Sequence, residues 1–115
     1  MRSKGNAEEQ QGHLQAALAL YESTNRLMPA MFEGWLDRGR VLQKLGRSAE
    51  AIDAIDQAIA RNRNSAAAWT VRGEATWALE RYDQAIVALD KALQVDPDYE
   101  PAKVLREQAR QTQGR

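Results

Sequence analysis

The chain has 115 residues, with 16 basic and 16 acidic side chains, no formal net charge at neutral pH and no cysteine. The balance excludes nonspecific nucleic-acid binding, which needs a surplus of lysine and arginine facing the phosphates, and the missing thiols exclude disulfides, thiol nucleophiles and thiolate metal sites. At 43% hydrophobic and 28% charged residues the composition is that of one folded domain, not of a disordered or fibrous chain. No apolar stretch approaches the roughly 20 residues that cross a bilayer, and the opening Met1 to Glu9 lacks the apolar centre of a signal peptide. The chain therefore reads as soluble, untargeted and without membrane insertion, which fits the cytoplasm.

Apolar residues recur at steps of three and four throughout, the spacing of one helix face. Helices are predicted near 3–11, 14–27, 33–45, 48–61, 67–79, 82–95 and 100–112. The first carries Gly5, Asn6 and Glu9, and the second Ala17 and Thr24. The third carries Trp35, Leu36, Asp37, Gly39, Arg40 and Lys44; the fourth presents Ala51, Ile52, Ile55, Ala58 and Ile59 on one side. In the fifth lie Trp69, Thr70, Val71, Gly73, Glu74 and Trp77, and in the sixth Tyr82, Ala85, Ile86, Leu89, Ala92 and Leu93. The seventh pairs an apolar face (Ala102, Leu105, Ala109) with a charged one (Lys103, Glu107, Arg110). Breaks at Gly46-Arg47-Ser48 and Glu80-Arg81-Tyr82 divide helices within pairs, while Asn62-Arg63-Asn64-Ser65 and Asp96-Pro97-Asp98 divide pairs from each other.

A single interval of 34 residues relates Trp35 to Trp69, Gly39 to Gly73, Ala51 to Ala85 and Ala58 to Ala92. Carried backwards it aligns Gly5, Gly12 and Ala17 with Gly39, Gly46 and Ala51, and Pro29 and Pro97 stand two periods apart. Trp69-x3-Gly73, followed by Tyr82, Ala85, Leu89, Ala92 and Pro97, resembles the tetratricopeptide repeat signature, and Trp35-x3-Gly39 with Ala51, Ile55 and Ala58 repeats it. The resemblance implies an all-α fold, a right-handed α-solenoid of three helix-turn-helix repeats plus a C-terminal capping helix. Residues 1–31 form a first unit lacking its first three positions, 32–65 and 66–99 are full units, and 100–115 are the cap and tail. Arg38 and Arg72 stand where the family usually has leucine, Asn62-Arg63 replaces an Asp-Pro ending, and Thr24 replaces a small alanine. Small residues at 39, 51, 73 and 85 let paired helices approach closely, and Trp35 and Trp69 are expected to fill the volume beside each hairpin.

No catalytic constellation is present in the sequence. His13 falls in a turn with no serine or cysteine partner at a useful spacing, and Asp53, Asp56, Asp83 and Asp90 follow a solvated helical face. Each glycine has a helix contact, a turn or a terminus to account for it, leaving no phosphate-cradling loop. Neither enzyme activity, nor a metal, nor a cofactor is expected. A repeat array instead offers a concave surface lined by the first helix of each unit. Here Asn6, then Asp37, Arg40 and Lys44, then Thr70, Val71, Glu74 and Trp77 form the candidate partner-binding groove, with Asn6, Arg40 and Glu74 in one row. Its front is charged in both signs and its rear is more apolar, so a bound peptide is expected to meet Arg40 and Trp77 first.

Members of this family that clamp the acidic C-terminal tail of heat-shock chaperones use lysine and asparagine in the first unit, asparagine in the second, and lysine and arginine in the third. The matching positions here hold Arg2 and Asn6, Asp37, and Ala67 and Val71. Because Asp37 would repel a terminal carboxylate, a chaperone tail is not the expected partner. The expectation is a protein–protein interaction module or scaffold that takes a segment of a partner protein or peptide. The alternative is self-association into a homo-oligomer through the end units or the apolar rear of the groove.

Overall fold

The computed structural model describes residues 2–113, and among them the chain forms seven helices and no strand. These are α1 (Arg2–Gln10), α2 (Leu14–Leu27), α3 (Phe32–Lys44), α4 (Ser48–Arg61), α5 (Ala66–Ala78), α6 (Tyr82–Val95) and α7 (Glu100–Gln113). All agree with the sequence expectation to within a residue. None of them is long and apolar enough to cross a membrane.

The helices inside each pair are joined by the same backbone solution, used three times. The N–H of His13 bonds the carbonyl of Glu8, that of Arg47 bonds Leu42, and that of Arg81 bonds Thr76, at 2.8–2.9 Å. One residue earlier, the N–H of Gly12, Gly46 and Glu80 reaches the carbonyl of Glu9, Gln43 and Trp77. This double closure of a helix end needs a left-handed residue. Glycine supplies it at residues 12 (φ 81°) and 46 (φ 76°), but Glu80 adopts it with φ 62° and a side chain in place. Two of the three turns between pairs are also alike: Asn62 and Asp96 each accept, through their side-chain oxygens, the backbone N–H two residues on.

Short links make consecutive helices antiparallel neighbours. The close pairs are α1 with α2, α3 with α4 and α5 with α6; α2 then packs on α3, α4 on α5 and α6 on α7. Because α5 also touches both α3 and α7, the odd-numbered helices follow one another along one side of a stack about 42 Å long. The core runs through the hairpins as alanine and branched side chains. Ala17, Leu18 and Tyr21 pack with Val41, Leu42 and Ala51; Ile55 and Ala58 with Ala68; Leu89 and Ala92 with Ala102 and Ala109. Each such Ile or Leu contributes about 1.5–3 kcal/mol on burial. The cap closes the stack as its two faces predict, with Ala102 and Ala109 buried, Lys103, Glu107 and Arg110 exposed, and Arg106 ion-paired to Asp90 of α6.

Small residues set the interhelical spacing. A Cβ at Gly39 would stand 3.1 Å from Ile55 Cδ1, and one at Gly73 would stand 2.7 Å and 2.8 Å from Leu89 Cδ2 and Cγ. Trp35 and Trp69 pack against the core clusters as expected, each with part of its ring still exposed. Each indole N–H donates to a carbonyl of the turn before its own helix, Trp35 to Pro29 at 2.8 Å and Trp69 to Arg63 at 2.9 Å. A buried indole needs an acceptor, and the turn carbonyl at the junction of two units provides one. The tryptophans therefore tie each unit to the turn that enters it. Cations cover their outer faces: Arg38 and Arg61 lie 5.5 and 5.1 Å from the Trp35 ring centre, and Lys91 lies 5.4 Å from that of Trp69.

Two stability measurements check this description. Glu80→Gly removes a left-handed non-glycine residue and is expected to raise stability to urea by about 0.5–1 kcal/mol, the left-handed penalty less the added chain entropy. Gly73→Ala is expected to lower it by about 1–3 kcal/mol, and by more than Gly39→Ala, because both facing side chains are fully buried but Leu89 stands at 2.7 Å from the new Cβ against 3.1 Å for Ile55.

Candidate functional site

The odd-numbered helices frame two adjoining cavities, and Arg40 and Lys44 line both. The front cavity, about 290 Å³, lies between α1 and α3. Here Glu9 gathers the nearby donors. Arg40 bonds it with two nitrogens, Nε at 2.8 Å and Nη2 at 2.5 Å, and Lys44 Nζ lies 2.7 Å away. The Tyr21 hydroxyl, reaching up from α2, stands 2.9 Å from Glu9 Oε1 and 2.5 Å from Asn6 Oδ1 and shares its one proton between them. Beneath this layer, Asp37 is 1% exposed and takes Arg2 Nε at 2.5 Å and Arg40 Nη1 at 3.1 Å.

The titrations follow from these contacts. Burial pushes the Glu9 carboxyl up, but hydrogen bonds from Arg40, Lys44 and Tyr21 and the charge of Arg40 outweigh it and hold the group down at about 2. Burial, with the bond to Glu9 and its charge, pushes the Tyr21 hydroxyl well above the ordinary tyrosine range. The bond to Glu9 fixes the charge on Arg40 more firmly still. The front of the groove is thus a closed ionic network in which Arg2, Arg40 and Lys44 each already have a carboxylate.

The rear cavity, about 380 Å³, is different in kind. Leu36, Gln43, Ala67, Thr70, Val71 and Glu74 line it from α3 and α5, and Tyr99 and Pro101 close it at the entry to α7. Thr70 is 3% exposed and its hydroxyl donates to the carbonyl of Ala66 at 2.7 Å, so it shapes the wall and offers no free hydrogen bond. Val71 is 8% exposed and packs in the core with Leu36. Glu74 is half buried and makes no hydrogen bond or ion pair with any described residue. Burial raises its pKa, and the charge of Lys44 only partly offsets the effect.

Of the residues that the sequence nominates for the groove, Asn6, Asp37, Arg40, Lys44, Thr70, Val71 and Glu74 line these two cavities. Trp77, one turn beyond Glu74 near the C-terminal end of α5, lines neither cavity. Asp37 is no exposed carboxylate, since two guanidinium groups neutralise it within the fold. Tyr99 and Pro101 were missed, although they stand one repeat after Ser65 and Ala67 and the register extended by one unit finds them. His13 remains in its turn, its ring 2.6 Å from the Glu8 carboxylate.

A tetratricopeptide-repeat family profile matches residues 36–100, and the chain belongs to that family. Solved repeat domains share its fold. The first repeat domain of Spaghetti (RPAP3) bound to the HSP90 peptide SRMEEVD superposes with a TM-score of 0.95 at 24% identity, over 99% of this chain and 90% of that one. The Arabidopsis OM64 repeat domain gives 0.93 at 24% identity, covering 96% and 91%. The second domain of human RPAP3, in complex with the HSP70 peptide SGPTIEEVD, gives 0.91 at 20% identity, covering 95% and 91%. At such identities the likeness concerns the fold. No curated protein sequence matches this one.

The Glu9 network makes a pH prediction. Glu9→Gln is expected to cost about 1.5–3 kcal/mol at pH 7, the worth of a hydrogen bond to a charged group. The folded-state value of about 2 lies below the ordinary 4.5. The stabilisation is therefore complete above about pH 4.5 and is lost as the pH falls through about 2. Urea titrations across that window should bring the wild-type and Glu9→Gln curves together.

Proposed function

We propose that the chain is a non-enzymatic interaction module that holds a segment of a partner protein in the groove between the odd-numbered helices. The observation that carries this reading is the rear cavity, an apolar-walled recess of about 380 Å³ beside a preformed polar network. Its volume is within the roughly 300–1,000 Å³ usual for binding recesses, and its walls come from helices held on both sides, so little ordering cost attends binding. The fold neighbours support a protein-interaction role of this general kind, since two of them are recorded with chaperone peptides.

The identity of the ligand does not carry over with the fold. Where chaperone-tail binders present lysine and arginine in the third unit, this chain has Ala67 and Val71. Its remaining groove cations are bonded to Glu9 and Asp37. An acidic tail would have to break those pairs to be held, so a tail of that kind is not the ligand we propose.

Panning the full chain against phage displaying random 12-residue peptides tests the reading. Capture should fall at least about tenfold on Ala67→Phe, which fills the rear cavity from its wall, and should persist on Trp77→Ala and on Gln57→Arg, neither of which lines that cavity. Circular dichroism confirms that each variant is folded. Phage that bind Ala67→Phe as well as wild type would move the site off this face.

A further inference from the structure

The repeat brings equivalent residue pairs together across each unit junction, and at one junction a pair lacks its partner. Arg40 of α3 is neutralised by Glu9 of α1, 31 residues before it. The same relation one repeat later joins Glu74 to Gln43. Gln43 carries no charge, and its side-chain oxygen accepts the Ser48 hydroxyl at 2.9 Å instead. Glu74 is therefore left as a half-buried carboxylate with no hydrogen-bonding or ion-pairing partner among the described residues, facing the rear cavity. Lys44 lines the same cavity but is engaged 2.7 Å from Glu9, and Arg40 is held by both Glu9 and Asp37.

We propose that the segment bound in the rear of the groove carries a lysine or arginine beside an apolar residue, the cation pairing with Glu74 and the apolar side chain lying against Leu36, Ala67, Val71, Tyr99 and Pro101. This rests on the groove reading above and adds the chemistry of the ligand. A carboxylate partly withdrawn from water and lacking a partner is short of its solvation, and a charge-assisted bond from the ligand makes up that deficit. The methylene stem of a lysine or arginine also suits an apolar wall that ends at a carboxylate. An acidic segment would meet a carboxylate that no hydrogen bond or ion pair holds, and cations already bonded to Glu9 and Asp37, a mismatch that selects against it.

The same phage panel separates the two proposals. Clones whose capture depends on an open cavity, judged by loss on Ala67→Phe, should be enriched in Lys or Arg next to an apolar residue. Synthetic peptides from these clones should bind Glu74→Gln about tenfold more weakly than wild type. Replacing their cation by norleucine should weaken wild-type binding by a similar factor and leave Glu74→Gln binding nearly unchanged. Glu74→Lys should turn selection towards Asp and Glu, a reversal that a merely unfolded variant would not give. Clones that need the cavity but carry no basic residue, or that bind Glu74→Gln as tightly as wild type, overturn this inference and leave the groove standing. Clones indifferent to Ala67→Phe remove both.

Discussion

The spacing between the helices of a pair is set where a glycine faces a large side chain. At Gly73 the Leu89 side chain occupies the space a Cβ would need, at Gly39 Ile55 does so at slightly greater distance, and at Gly5 the Tyr21 ring comes within 2.6 Å of that position. A hairpin closed this tightly buries its own alanine stripe, but it cannot cover the outer side of either helix, and the next hairpin must do so. The stack follows from that shortage of cover. The odd-numbered helices fall in line because each is the first of its pair, and the groove is the surface they leave on one side.

The Tyr21 approach at Gly5 has a second consequence. With no side chain at residue 5 in its way, the Tyr21 ring reaches from α2 past α1 and delivers its hydroxyl to Asn6 and Glu9 on the groove side. A packing contact in the hairpin thereby orients the carboxylate that holds Arg40 and Lys44. Four elements of the polar network (Tyr21, Glu9, Arg40 and Asp37) are fixed by one another and by the core below them. The front of the groove is consequently electrically satisfied, and it ties the first unit to the second with its cations already paired.

Much of this was legible in the sequence because it depends on residue type at a repeated position. The 34-residue interval, the paired turns and the charged outer face of α7 locate the helices to within a residue and place seven of eight nominated groove residues at the two cavities. What could not be read is anything that depends on two units at once. Asp37 can be paired with Arg40 on its own helix face from spacing alone, but its second guanidinium, Arg2, comes from the preceding unit. Trp35 and Trp69 read as core and do pack on it, but the turn carbonyl that each indole N–H finds at the unit junction is not visible in the pattern. Trp77 shares a repeat position with Glu9 and Gln43, which both line a cavity, yet it lines neither.

The two junctions of the groove differ because the same geometric pairs are filled with different chemistry. The pair that is Arg2 with Asp37 at the first junction becomes Leu36 with Val71 at the second, an ion pair exchanged for an apolar contact. The pair that is Glu9 with Arg40 becomes Gln43 with Glu74, a bidentate salt bridge exchanged for a carboxylate without a partner. Backbone positions are conserved between the units while their electrostatic accounts are not, so a binding preference can change from one repeat to the next without any change in fold. That separates the likeness to peptide-bound repeat domains from any likeness in what is bound. The scaffold fixes where a segment lies, and the uncompensated member of a cross-unit pair decides which charge it must bring.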